Sequence, residues 1–114
     1  MNELSLPVQS EGSFVLFRAG WLWTLLHQFA VVGKIYTGDA GFDEEFFIRS
    51  AEVKWARALF CDPETRRLAR TLFSLGCARV ALAGGSLQAS FKTGGAREEA
   101  RSALSELAAR LPRA

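Results

Sequence analysis

Arg79-Val80-Ala81-Leu82-Ala83-Gly84-Gly85-Ser86-Leu87-Gln88-Ala89-Ser90-Phe91-Lys92 alternates small or apolar residues with polar ones about a glycine pair. Successive side chains of such a stretch face opposite sides of a sheet, and Gly84-Gly85-Ser86 supplies the tight reversal, so the pattern predicts an antiparallel hairpin. A hairpin needs no crossover helix. It sets the expectation for the rest of the chain, in which strands gather into a mostly antiparallel sheet and helices pack on one face.

Beyond Gly94-Gly95, residues Ala100, Ala103, Leu104, Leu107, Ala108 and Leu111 share one helical face, with Glu98 and Glu99 in the first turn and Pro112 as the stop. On the other side of the hairpin, Asp62-Pro63-Glu64 reads as a helix start. Asp62 is the N-cap, Pro63 fills the first helical position, and Leu68, Leu72, Phe73 and Leu75 form the buried stripe up to Gly76. A shorter helix precedes it, capped by Ser50 and carrying Trp55, Ala56, Leu59 and Phe60 at helical spacing. Phe42 to Arg49 and Ser13 to Arg18 read as strands, and Lys34 to Thr37 as a brief strand closed by the turn chemistry of Gly38-Asp39-Ala40-Gly41. Trp21 to Val32 plots as a helix with Thr24, His27 and Gln28 on a narrow polar strip, and a strand accommodates the same apolar run. The expected fold is therefore α+β, a mostly antiparallel sheet of about four to five strands with helices packed on one face. Residues 1–12 are expected as a flexible N-terminal tail and residues 13–114 as a single domain.

A chain of 114 residues is long enough to bury a core without disulfides or metal. Its 49% apolar and 23% charged residues belong to a folding chain rather than a disordered one. With 14 Lys and Arg against 12 Asp and Glu, the net charge of +2 gives no single-sign field, and no nucleic-acid partner is expected. Cys61 and Cys77 are too far apart for a C-x-x-C redox or zinc motif and read as free thiols of a reducing, cytoplasmic setting. Met1 to Gly12 lacks the basic leader and apolar stretch of a secretory signal, and Gly20 to Val32 is shorter than the roughly 20 residues a membrane span needs.

At Thr37-Gly38-Asp39-Ala40-Gly41-Phe42-Asp43 the chain resembles an uncharacterised bacterial family marked by T-G-D-x-x-F-D and a following β-rich stretch. The likeness runs from about Lys34 to Phe91, taking in Phe46 to Ser50, the Asp62-Pro63 helix start and the Val80 to Phe91 hairpin. Such domains often follow N-terminal membrane segments, which are not expected here. The resemblance implies that Thr37, Gly38, Asp39, Phe42 and Asp43 matter and assigns no activity to them.

The candidate chemistry is thin. Asp39, Asp43, Glu44 and Glu45 are the densest acidic group, but their spacing fits no calcium loop, and turn and strand-start roles account for them. No metal or cofactor is expected. His27 is the sole histidine and has no nucleophile or orienting acid near it in sequence. Thr93-Gly94-Gly95 with Arg97 opens a helix where free N–H groups favour anions, but it lacks a phosphate-loop pattern. Arg57, Arg66, Arg67 and Arg70 sit among acids that dilute a basic patch.

Trp21, Trp23, Leu25 and Phe29 give the Trp21 to Val32 segment an apolar arc too broad for one surface helix. The leading expectation is thus a noncatalytic protein-interaction domain, self-associating through that segment or through an open sheet edge, with a homodimer or another protein as partner. A small-molecule or enzymatic pocket near Asp39, Asp43 and His27 is the alternative. Peripheral, non-spanning membrane contact through Trp21 to Val32 is a third reading.

Overall fold

The hairpin closes where the glycine pair places it. In the computed structural model, which describes residues 2–10, 12–18, 35–91 and 97–111, strands β4 (Cys77–Ala83) and β5 (Ser86–Phe91) pair antiparallel with Ala83 opposite Ser86. Gly84 and Gly85 have φ of 58° and 75°. A two-residue turn of this hand matches the twist of the strands it joins and requires positive φ at both central positions, which glycine adopts without strain.

Three further strands complete the sheet: β1 (Asn2–Pro7), β2 (Phe14–Arg18) and β3 (Phe46–Arg49). Their order is β1-β5-β4-β2-β3, and every neighbouring pair is antiparallel. The register lines up Leu4, Ala89, Val80, Leu16 and Ile48 as one row across all five strands. Leu6, Leu87, Leu82 and Phe14 make the next row. Both rows fall on the same face because side chains alternate along each strand.

Helices α1 (Ala40–Glu45), α2 (Val53–Phe60), α3 (Pro63–Ser74) and α4 (Arg97–Ala109) cover that face. Leu68, Leu72 and Phe73 of α3 and Leu104 and Leu107 of α4 are buried against it. Aromatic rings lock the helices to the strands. Phe14 meets Phe60 edge to face at 5.1 Å, Phe46 lies 4.9 Å from Phe73, and Phe42 lies 4.7 Å from Phe46. On the other face Phe17 and Phe47 are direct cross-strand partners with rings stacked at 5.1 Å.

The α+β layout and the antiparallel sheet are as the sequence led us to expect, and so is the start of α3, where the Asp62 side chain accepts from Glu64 N and Pro63 opens the helix. Four local expectations are corrected. Asn2–Pro7 forms strand β1 rather than a tail, because Leu4 and Leu6 alternate with Glu3 and Ser5 and carry the apolar rows one strand further. Phe42–Arg49 is not one strand. Asp39 caps Phe42 N and nucleates α1, and only Phe46–Arg49 is extended. Residues 35–37 of the expected Lys34–Thr37 strand are outside any strand, although Ile35 N donates to Ile48 O at 3.3 Å. Ser50 does not cap α2; its Oγ accepts from Glu52 N and donates to Ser13 O, tying the strand end to β2.

No helix among the described residues is long and apolar enough to cross a membrane.

Trp55 of α2 lies against Phe14, and its indole occupies the space over buried Gly12 that a Cβ would need. Gly12→Ala is expected to lower unfolding free energy by about 1–3 kcal/mol, as overpacking does. Urea denaturation measures it, and an unchanged midpoint would show that the indole moves aside freely.

Candidate functional site

The residues of the T-G-D-x-x-F-D stretch converge, and they converge on one another. Asp43 reaches back to the segment before its own helix. Its Oδ1 accepts from Thr37 N and from Thr37 Oγ1, both at 2.9 Å, and its Oδ2 accepts from Gly38 N at 3.3 Å. Thr37 Oγ1 in turn accepts from Asp39 N at 3.2 Å. Asp39 is the N-cap of α1, its Oδ1 accepting from Phe42 N at 3.2 Å. Gly38 has φ of 95°, the left-handed conformation that directs its N–H onto Asp43 and that other residues adopt only at a cost. Phe42 is fully buried between Phe46 and Phe60, with the Arg70 guanidinium over its ring at 5.3 Å.

The second oxygen of Asp39 faces α3. Arg66 Nε lies 3.2 Å from Oδ2 and Arg70 Nη2 3.8 Å from it. Arg66 also donates through Nη1 to Phe60 O at 2.9 Å and Cys61 O at 2.8 Å, the carbonyls left over at the end of α2. Cys61 Sγ donates to Thr37 O at 3.5 Å. The stretch is therefore a joint that fastens α1 to the end of α2 and to α3. The Asp39 carboxyl is held below its ordinary value of 3.8, first by the Phe42 N–H and then by the Arg70 and Arg66 guanidinium groups.

The polar groups of this stretch are engaged within the joint. The oxygens of Asp39 and Asp43 serve backbone N–H groups and arginines rather than a cavity. Glu45 faces Arg18 at 3.7 Å and Arg70 at 4.0 Å, Glu44 is exposed, and among the described residues no three His, Cys, Asp or Glu side chains gather as a cation cage. Three of the arginines that the sequence reading set among diluting acids do pair with acids: Arg66 and Arg70 with Asp39, and Arg67 with Glu64. Cys61 is exposed, whereas burial pushes the Cys77 thiol up to about 11, leaving it protonated and unreactive at neutral pH. Three clefts of the described surface are open to solvent. One of about 260 Å³ lies between Pro7–Ser10 and Ala108, Ala109 and Leu111, and it brings no acid against a base.

Trp21, Trp23, Leu25 and Phe29, expected as contact residues, lie outside the described residues, as do His27 and the Thr93-Gly94-Gly95 loop. Among the described residues, β1 is the outermost strand at one edge of the sheet and bonds to β5. Val8 N donates to Gly85 O at 2.9 Å, which fixes the phase of the pairing. By the two-residue repeat, Leu6 and Leu4 direct their backbone groups to β5, while Glu3, Ser5 and Pro7 direct theirs outward. Pro7 has no N–H and fits an outward position for that reason. The side chains of Glu3, Ser5 and Pro7 are exposed on the sheet face away from the helices. The alternation Glu3-Leu4-Ser5-Leu6 was the available signal for this strand.

The chain matches no protein-family model, no curated protein and no solved structure.

Two measurements test the joint. Asp43→Ala leaves the Thr37 and Gly38 donors without their acceptor and is expected to cost about 3 kcal/mol, while Asp43→Asn, which keeps one acceptor oxygen, costs about 1 kcal/mol. Equal losses in urea titrations would contradict the assignment of both oxygens. For Asp39 the folded carboxyl releases its proton at lower pH than the unfolded one, so the unfolded chain binds more protons in acid. Its stabilisation is complete above the unfolded value and lost as pH falls through the folded one. The stability gap between the native sequence and Asp39→Asn is therefore expected to hold from about pH 7 to 5 and to close below about pH 4. A gap unchanged in acid would refute the charged cap.

Proposed function

We propose that this chain is a noncatalytic protein-interaction domain that self-associates, and that the outer edge of β1 is its contact surface. One observation carries the reading: β1 is the outermost strand of a five-stranded sheet, and its Glu3 and Ser5 peptide groups face away from β5 with no further strand beyond them among the described residues. Unpaired strand edges bind extended backbone, each added bond contributing about 0.5–1.5 kcal/mol net. The opposite edge is less open, since Ile35 N already occupies Ile48 O on β3.

The polar residues that offered an enzymatic alternative support this reading by their employment, because Asp39 and Asp43 hold helices in place. The likeness of residues 37–43 to the uncharacterised bacterial family enters the same proposal as a shared joint that stabilises the fold. Two unpaired thiols support a reducing, cytoplasmic setting.

Sedimentation equilibrium across a concentration series is expected to give a reversible dimer. Ser5→Pro removes an outward N–H and leaves the backbone pairing to β5 in place, losing there only the exposed Ser5 Oγ–Ser86 Oγ bond of 2.9 Å, so it should weaken association about tenfold or more while preserving the far-ultraviolet circular dichroism. A strictly monomeric native chain at its highest soluble concentration sinks the proposal.

A further inference from the structure

Building on the self-association just proposed, we infer the register of the contact: a second copy of this chain joins antiparallel, β1 to β1, with Ser5 opposite Ser5 of the other copy, and the two sheets become one. Only the outward residues can bond across the seam, so Glu3, Ser5 and Pro7 of one copy must meet Glu3, Ser5 and Pro7 of the other. Few registers satisfy that condition, and three observations choose among them.

The first is charge. A register centred on Glu3 sets two carboxylates directly opposite each other, and one centred on Leu4 sets them on a diagonal of about 7–8 Å, both unfavourable. Centring on Ser5 places each Glu3 opposite Pro7 of the other copy and carries the two carboxylates to about 14 Å apart, four strand residues at their usual rise.

Backbone pairing is the second. In the Ser5-centred register each Ser5 N–H reaches the other Ser5 carbonyl and each Glu3 N–H reaches the other Pro7 carbonyl. The position where Pro7 has no donor to give is the outermost of the pairing, so the proline trims its end rather than breaking its middle. Registers that slide toward Pro7 lose donors at the centre.

Apolar matching on the helix side is the third. Leu4 is buried in the core and Leu6 packs half-buried at its margin. Centring on Ser5 sets Leu4 opposite Leu6 of the other copy on both sides of the axis, so the apolar rows continue across the seam and Leu6 becomes covered. Centring on Leu4 sets Leu6 opposite Asn2 instead.

The layer above the sheet meets the seam through α4. α4 packs over β1 and β5, and Glu106 and Arg110 mark its α3 side, facing Arg67 and Asp62. Plotted at the helical repeat, the opposite flank, which a neighbouring α4 would approach, carries exposed Arg101 between the short side chains of Ala108 and Ser105. With each β1 edge used on a two-fold axis, assembly closes at two copies rather than propagating.

Single cysteines read the register. In a Cys61→Ser background, with buried Cys77 unreactive, Ser5→Cys is expected to form an intermolecular disulfide on mild oxidation, since paired strand residues stand about 5.5 Å apart at Cα, within disulfide reach. Glu3→Cys is expected not to cross-link. Sedimentation of the same background chain runs alongside, circular dichroism checks that each variant is folded, and hydrogen exchange on the unsubstituted chain is expected to show Glu3 and Ser5 amides gaining protection with concentration. A dimer in which Glu3→Cys links faster than Ser5→Cys, or neither links, overturns the register and leaves self-association standing. A monomer at every concentration overturns both.

Discussion

Water has to be kept from one side of a five-stranded sheet, and that constraint organises the molecule. The row Leu4, Ala89, Val80, Leu16 and Ile48 crosses every strand, and each of these side chains is 5% exposed or less. Burying such a face contributes roughly 25 cal/mol per Å² of apolar surface, the largest favourable term available to a chain of this size. Everything else follows from keeping helices on that face: the arginine bridges, the caps and the tight hairpin hold the covering layer at the distance the side chains require.

The helices differ in how they are held. α3 and α4 carry long apolar stripes and are secured by burial. α1 is only six residues long, too short to persist by its own hydrogen bonds: Asp39 accepts from its Phe42 N–H, and the Asp43 carboxylate ties it back to Thr37 and Gly38 of the preceding segment. The most distinctive stretch of the sequence is thus spent on the least self-sufficient helix. One buried polar atom is left out of this economy: the Thr65 hydroxyl on α3 has no hydrogen-bond partner among the described residues.

The legibility of the sequence tracks how local each determinant is. Gly84-Gly85 and Asp62-Pro63-Glu64 act through their own backbone and neighbours, and both structures formed where the residues stood. Phe42 and Phe46 are β-formers, yet Phe42 is helical, because the cap from Asp39 and a bed beneath Phe46 and Phe60 outweigh intrinsic preference. β1 was missed because Leu4 and Leu6 are too few to declare a strand until β5 stands beside them. The joint at residues 37–43 was noticed as a pattern, but its purpose was hidden, since Arg66 and Arg70 lie far along the chain and meet Asp39 only after folding.

Arg66 touches the beginning of α1 through Asp39 and the finish of α2 through the Phe60 and Cys61 carbonyls, while belonging to α3. Helix ends ordinarily fray one at a time, since each loses only its own last turn. Here a single planar group is shared by three segments, so loosening any one of them strips contacts from the other two. Local opening in this region is thereby converted into a concerted event, and the short helix inherits the persistence of the longest of its neighbours.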